Sequence, residues 1–306
     1  MVMKADKIEN SDVSSEAIPS DYKGASAEAI QHHYDVGNEF YRLWLDNTLT
    51  YSCALWDEDE TNDTLELAQL RKLDFHIRNA RAQQAQHVLE IGSGWGSLPK
   101  RLVDVDGVEK VTTLTLSQAQ LQWIESFQNS QIETRLENWF HHFPQQPYDS
   151  IILIEAFEAF VQRDLSEAER IETYRTFFQR CHDWLKPGGW MSLQTIAWGN
   201  MRREDLGEFI PSEIFPESDL PTLADIAKAS ERIFEVVALR NDRKHYERTH
   251  RNWLSMLKAN RSAAVNLVGE ETVARYEKYL KMSIVGFYTG KNDLLRLTLR
   301  RIDSPR

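Results

Sequence analysis

Cysteine is scarce, at two among 306 residues. Two cysteines make neither a disulfide framework nor a structural zinc site, so a reducing, cytoplasmic setting is expected. His32, His141 and His142 have no ligand-like spacing, and no metal is expected. Basic charge is also short: 36 Lys and Arg face 47 Asp and Glu, a net charge of −11 with the nine His neutral. A field of that sign repels phosphate backbones, so no nucleic-acid partner is expected, and it weakens docking on anionic lipid or an acidic carrier. Long apolar runs are missing. The stretch around Ser150–Ile154 falls well short of the ~20 residues that cross a bilayer, so no stable membrane insertion is expected. The N-terminus alternates charge without an apolar core, unlike a signal peptide. Repeats, low-complexity segments and an internal linker are absent, and nothing in the sequence assigns an oligomeric state.

What is present is ordinary for a globular chain: 42% hydrophobic and 27% charged residues, with nine Trp, ten Tyr and thirteen Phe. Residues 1–27 are polar and aperiodic and read as a flexible tail. Residues 28–306 read as a single domain. It opens with helical periodicity at Ile30, His33, Tyr34, Phe40, Leu43 and Trp44. Thr64 then caps a helix carrying Leu65, Ala68, Leu73 and Ile77. The middle alternates strand and helix: strands at 86–92, 111–116, 132–136, 149–155 and 190–196, with helices at 95–103, 117–129 and 174–185. The 149–155 run is nearly all apolar, as in a strand covered on both faces. This alternation predicts an α/β fold, a mostly parallel sheet with helices on both faces. Residues 197–222 break the pattern and read as a lid insertion. Helices at 223–234, 250–259 and 272–287 and strands at 235–240 and 294–301 close the chain.

The run Val88-Leu-Glu-Ile-Gly-Ser-Gly-Trp-Gly96 carries a buried strand through Gly92-x-Gly94-x-Gly96 into a helix. Glycines there let backbone turn sharply and approach a ligand at a helix N-terminus. The third glycine comes one residue too early for the dinucleotide fingerprint. Glu90 beside the loop disfavours a pyrophosphate and suits a positively charged ligand such as the sulfonium of S-adenosylmethionine (SAM). The competing reading is a structural glycine turn. Thr115-Leu116-Ser117 and Gln120 stand at the edge of the next strand, where ribose hydroxyls would lie, and Trp139 follows the third strand as a wall for adenine. Taken singly, Ser117 reads as a helix cap and Trp139 as core.

Further motifs carry a family resemblance. They are His33-Tyr-Asp-Val-Gly-Asn-Glu-Phe-Tyr41, Thr50-Tyr-Ser-Cys-Ala54, Leu65-x-x-Ala68-Gln69 with Lys72-Leu-Asp74, and Ile214-Phe-Pro216. His245-Tyr-x-Arg-Thr249 with Trp253, and Tyr276-x-Lys-Tyr-Leu280, complete the set. From about Gln31 to Arg301 the chain resembles the cyclopropane fatty acid and mycolic acid cyclopropane synthases. The resemblance implies a Rossmann-like class I SAM-dependent methyltransferase. It implies that Tyr51, Ser52, Gly92, Gly94, Thr115, Leu116, Gln120 and Trp139, with Glu90 and Asn138 beside them, hold SAM. It also implies a bicarbonate held by Cys53, Glu158, Ile196, Tyr279 and the position of Gln194, with Tyr34 close by. Three departures stand out: Glu158-Ala159 replaces a Glu-His pair, Gln194 replaces a His, and Asn138-Trp139-Phe140 replaces Gly-Trp-Glu. Gln194 keeps a donor but not a titratable one.

The expected activity is C-methyl or methylene transfer to an unsaturated carbon of a lipid or specialised metabolite, with bicarbonate as base. The alternative is a small-molecule N- or C-methyltransferase of related fold; a SAM-binding protein without catalysis is the third reading. The acceptor is a small molecule or an acyl chain. Aromatic faces at Tyr34, Tyr51, Trp139, Phe157, Phe160, Tyr246 and Tyr279 would stabilise a cation. Cys53 is expected to be a neutral thiol, with His245 anchoring a loop at Tyr246 and Cys181 structural.

Overall fold

The computed structural model describes residues 22–34, 36–57, 62–205, 207 and 209–304, without the side chains of residues 32–34. Seven strands among them form one sheet: β1 (His87–Ile91), β2 (Lys110–Thr115), β3 (Ile132–Leu136), β4 (Tyr148–Ile154), β5 (Leu185–Trp198), β6 (Phe234–Asn241) and β7 (Asn292–Arg301). Their order is β3-β2-β1-β4-β5-β7-β6. β7 runs antiparallel to β5 and β6, and the other pairs are parallel. The order reverses between β1 and β4, which opens a crevice at the carboxyl ends of the strands.

The helices are α1 (Ala27–Tyr34), α2 (Asn38–Tyr41), α3 (Leu65–Asn79), α4 (Ser97–Asp104), α5 (Gln118–Glu125), α6 (Glu167–Trp184), α7 (Phe209–Glu213), α8 (Leu223–Ser230), α9 (Arg243–Ala259) and α10 (Arg261–Thr289). Both faces of the sheet are covered, and strand alternation shows it. Leu89, Ile91, Ile151 and Leu153 join a core with Tyr174, Phe177 and Phe178 of α6 and Ile226 of α8. Val88 and Ile152 instead meet Leu73 and Ile77 of α3 and Leu98 and Leu102 of α4. A third core, rich in aromatics, joins Phe40 and Tyr41 of α2, Trp253 of α9 and Tyr276, Tyr279 and Leu280 of α10. It lies over the crevice end of the sheet, where Leu294 and Ile196 touch it.

The structure corrects several boundaries. Residues 22–26, within the expected tail, are packed: Ala25 is buried and its N–H donates to Ala159 O at 2.8 Å. Tyr22 meets the ring of Trp139 at 6.2 Å. A polar composition concealed these two anchoring side chains. Residues 1–21 of that expected tail lie outside the described residues. The early helical stretch breaks at Gly37, whose φ is +100°. α6 starts seven residues before the expected 174 because Ser166 and Glu169 form a reciprocal capping box. α8 stops at Ser230 rather than 234. α9 begins at Arg243, so Tyr246 sits on a helix rather than a loop. Thr64 caps α3 as expected, accepting from Leu67 N at 3.2 Å. The segment before α8 carries, among its described residues, a 3-10 turn at Arg203–Asp205 and the short helix α7. Trp198 N donates to Pro221 O, and Asp219 N to Glu158 O at 3.1 Å, so this segment is tied to the Glu158 turn. No described helix is long and apolar enough to cross a membrane.

Candidate active site

A cavity of about 680 Å³ occupies the crevice, within the usual range of about 300–1,000 Å³ for ligand pockets. At one end β1 runs into the glycine loop. Gly92 has φ +90°, and an added Cβ would lie 2.6 Å from Ala156 Cβ, so only glycine fits there. Gly94 has φ +49° with open space where a side chain would project. Glu90 is buried at the base of the loop and accepts from Thr113 Oγ1 at 2.5 Å. Burial pushes its carboxyl up to about 8, against that hydrogen bond and nearby Lys72.

The next strand supplies the polar wall. Ser117 caps α5, accepting from Gln120 N at 3.3 Å. Thr115 Oγ1 donates to Gln120 Oε1 at 2.7 Å, which leaves Gln120 Nε2 buried with no protein partner. Such a donor calls for a ligand acceptor. Leu116, Asn138 and Trp139 continue this wall, with Tyr22 behind them. Burial pushes the Tyr22 phenol up to about 12.

Tyr51 and Ser52 close the cavity from the N-terminal side. Gln69 Nε2 donates to Thr50 O at 3.2 Å and to Ser52 O at 2.9 Å, fixing this segment. Lys72 Nζ donates to Ser52 Oγ at 2.8 Å. Burial lowers its ammonium to about 8, opposed by Glu155 and Asp46. All ten positions expected to hold SAM therefore line one cavity: Tyr51, Ser52, Glu90, Gly92 and Gly94, then Thr115, Leu116, Gln120, Asn138 and Trp139.

The other end centres on two carboxylates. Glu155 follows β4 with φ +53°, a left-handed conformation uncommon outside glycine. Its Oε1 accepts from Cys53 N at 2.9 Å and Gln194 Nε2 at 2.6 Å, and its Oε2 from Tyr246 OH at 2.5 Å. Glu158 Oε1 accepts from Ile196 N at 2.5 Å, while its Oε2 is buried without a protein partner. Burial and then the charge of Glu155 push Glu158 up to about 8. Tyr279 OH accepts from Tyr51 OH at 3.3 Å. His250 lines this end and is held neutral, burial lowering it to about 3.

Gln194 is turned by its own partners. Its Oε1 accepts from Arg296 Nε at 2.6 Å and meets His76 Nε2 at 2.9 Å, so its amide N–H groups face Glu155 and Cys53 O. Arg296 is buried and paired with Asp242. Cys53 enters through its backbone. Its thiol donates to Ala54 O at 3.2 Å, and burial raises its pKa, so it is neutral. Phe157 stacks on Tyr174 at 4.3 Å inside the core, whereas Phe160 lines the cavity. His245 Nδ1 accepts from Trp56 N at 2.9 Å, anchoring the segment after Cys53 rather than a loop at Tyr246. Tyr34 ends α1, and its side chain lies outside the described residues.

The residues implied to hold bicarbonate turn their backbone and amide donors onto the chain itself. Cys53 N and Gln194 Nε2 serve Glu155, Ile196 N serves Glu158, and Tyr279 OH accepts from Tyr51 OH. These residues do not fit a further anion. Glu155, the hub, was missed in the sequence, as were Lys72 and Tyr22. The available signal was a lone carboxylate ending an apolar strand at the carboxyl edge of the sheet.

Comparison with known proteins decides the family. Residues 22–297 match the family model described as mycolic acid cyclopropane synthetase. The chain belongs to this family. Cyclopropane mycolic acid synthase 3 of Mycobacterium tuberculosis is 31% identical over 290 residues, 89% of this chain and 96% of that protein. Cyclopropane mycolic acid synthase 2 of Mycobacterium leprae is 33% identical over 290 residues, 88% and 89% of the two chains. The structure of mycolic acid cyclopropane synthase CmaA1 complexed with SAH and CTAB aligns with a TM-score of 0.81 and 31% identity, covering 91% and 99%. Coclaurine N-methyltransferase shares the fold, at a TM-score of 0.75 and 22% identity, covering 91% and 84%. This cyclopropane synthetase-family chain is therefore an enzyme of the class I SAM-dependent methyltransferase fold.

Proposed function

We propose that this enzyme transfers a methyl or methylene from SAM to an unsaturated carbon of an apolar acceptor. One observation carries the reading: a single cavity joins a glycine-loop end with an unpartnered polar donor to an apolar end holding a buried carboxylate pair. Gln120 Nε2 and the open backbone at Gly94 fit the ribose and amino-acid parts of SAM, with Trp139 flanking adenine. When bound, SAM supplies an electrophilic methyl on a sulfonium, which a π-electron pair takes without a strong base.

The chain's own groups do the rest. Ile210, Phe215, Met282 and Phe287 line the far end and exclude water from the acceptor. The faces of Tyr51, Tyr246 and Tyr279 stabilise positive charge developing on the acceptor by roughly 0.5–2 kcal/mol each. Glu155 and Glu158 offer carboxyl oxygens to a departing proton. The carboxylate pair also suits a protonated amine, which supports a second reading as a small-molecule N-methyltransferase.

The test is incubation with [methyl-¹³C]SAM and three acceptors: a monounsaturated phospholipid, a free isoprenoid and a benzylic secondary amine. Label bonded to carbon, including high-field cyclopropane protons, supports the proposal. Label bonded only to nitrogen overturns it in favour of the second reading.

A further inference from the structure

Bicarbonate is an external group, and this site already contains an internal carboxyl group. Glu155 projects from the end of β4 into the same space as Cys53, Gln194 and Tyr246, and it lines the cavity. Its two oxygens receive three donors. Two of these are obligatory. Cys53 N–H has no acceptor role, and Gln194 cannot turn its amide over, because its carbonyl oxygen is held by Arg296 and His76. Carboxylate oxygens are the acceptors that such donors demand. A bicarbonate introduced here would lose these donors and add another negative charge beside Glu155, in a buried site where Glu158 already resists ionisation.

Two further features mark Glu155 as built in. Its left-handed backbone is sparsely populated for a non-glycine residue and persists only when surroundings hold it. The layer behind it is a connected set of buried polar groups: Gln194, His76, Ser192, Arg296 and Asp242. Ser192 and His76 meet at 2.8 Å, and each member of the set orients the next.

We infer that the Glu155 carboxylate is the resident anion and proton acceptor of this enzyme, taking the place of a dissolved bicarbonate. The inference rests on the proposed transfer to an unsaturated carbon. In the step assigned to it, a C–H bond of the acceptor cation breaks. Its electron pair closes the new ring or double bond, and the proton goes to Glu155 Oε2, which carries only the Tyr246 hydroxyl. Glu158 is the neutral partner, the two carboxyls being set apart by environment.

The test has a binding arm that needs no acceptor. Thermal unfolding of the SAH-saturated protein is followed with potassium bicarbonate and with potassium chloride at matched ionic strength. The wild type is expected to show no difference between the two salts. Glu155→Gly, which empties the cradle but leaves its donors, is expected to be stabilised by bicarbonate and not by chloride. In the turnover arm, carbon dioxide is scrubbed from the buffer. Wild-type transfer to whichever unsaturated acceptor it uses is expected to be unchanged. Glu155→Gln is expected to lose about 10²-fold or more in rate, in line with general-base catalysis.

Saturable stabilisation of the wild type by bicarbonate overturns the inference. So does a wild-type rate that falls on scrubbing and returns with added bicarbonate. If Glu155→Gly does not fold, the wild-type arms and Glu155→Gln still decide. Failure of the wild type on every alkene, with no bicarbonate binding, would sink the proposed reaction while leaving the filled cradle standing.

Discussion

The two ends of the cavity treat their polar atoms in opposite ways. At the glycine-loop end, Gln120 Nε2 is buried and has no protein partner, and Gly94 opens onto empty space. At the carboxylate end, Cys53 N, Gln194 Nε2 and Tyr246 OH are all directed at Glu155. An end with open polar valences is shaped for a polar ligand that supplies the missing atoms. The other end turns its backbone and amide donors onto Glu155, leaves Glu158 Oε2 without a protein partner and otherwise presents an apolar wall, which suits a largely apolar acceptor. The contrast separates binding residues from reacting residues.

The strongest way to break that separation is Glu155→Gln. Turnover should fall by about 10²-fold or more while SAH affinity, measured by calorimetry, stays within about twofold. A parallel loss of SAH affinity would join the two ends into one binding site. Next comes Gln120→Ala at the other end. Losing one buried hydrogen bond to the ligand, about 1 kcal/mol, should weaken SAH binding about fivefold. The maximal rate at saturating SAM should hardly move.

The pattern of motifs explains why Glu155 was not legible in the sequence although its neighbours Cys53, Glu158 and Gln194 were. The glycine loop, Thr115 and Gln120 work locally, at the tip of one strand or the first turn of one helix. Their spacing therefore carries their geometry. Glu155 depends on Cys53, Gln194 and Tyr246, which come from three separate regions of the chain: β4–β5 pairing sets Gln194 beside it, while Cys53 and Tyr246 reach it from the segment before α3 and from α9. The alternation of strands and helices fixed the parallel part of the sheet, because each crossover follows from apolar periodicity. The antiparallel insertion of β7 between β5 and β6 is a long-range pairing with no local signature. The start of α6 was missed for the opposite reason: its capping box at Ser166 and Glu169 is local, but it sits in a polar stretch that reads as loop.

A subtler effect concerns Glu158. Its carboxyl is pushed up to about 8 in the folded chain, so the folded protein keeps a proton that the unfolded chain releases near its ordinary value of 4.5. The native state is favoured below that ordinary value, and the advantage is lost as pH rises to about 8. Glu158→Gln keeps an acceptor for Ile196 N and removes this loss. Its melting temperature, relative to wild type, should climb between about pH 5 and 8 and level off above. A pH-independent difference would mean that Glu158 ionises normally.

The smallest expected effect is that of Cys53→Ala. The backbone N–H that serves Glu155 is untouched, and the thiol donates only to Ala54 O. The rate should stay within about threefold and stability within about 1 kcal/mol of wild type. Inactivation would show that the sulfur itself belongs to the reacting end.

The most direct test of the filled cradle is a crystal structure of the SAH complex grown in bicarbonate. SAH is expected along Gln120 and Trp139, with Glu155 still accepting from Cys53 N and Gln194 and no anion between them. Bicarbonate on Cys53 N and Gln194, with Glu155 swung aside, would contradict it.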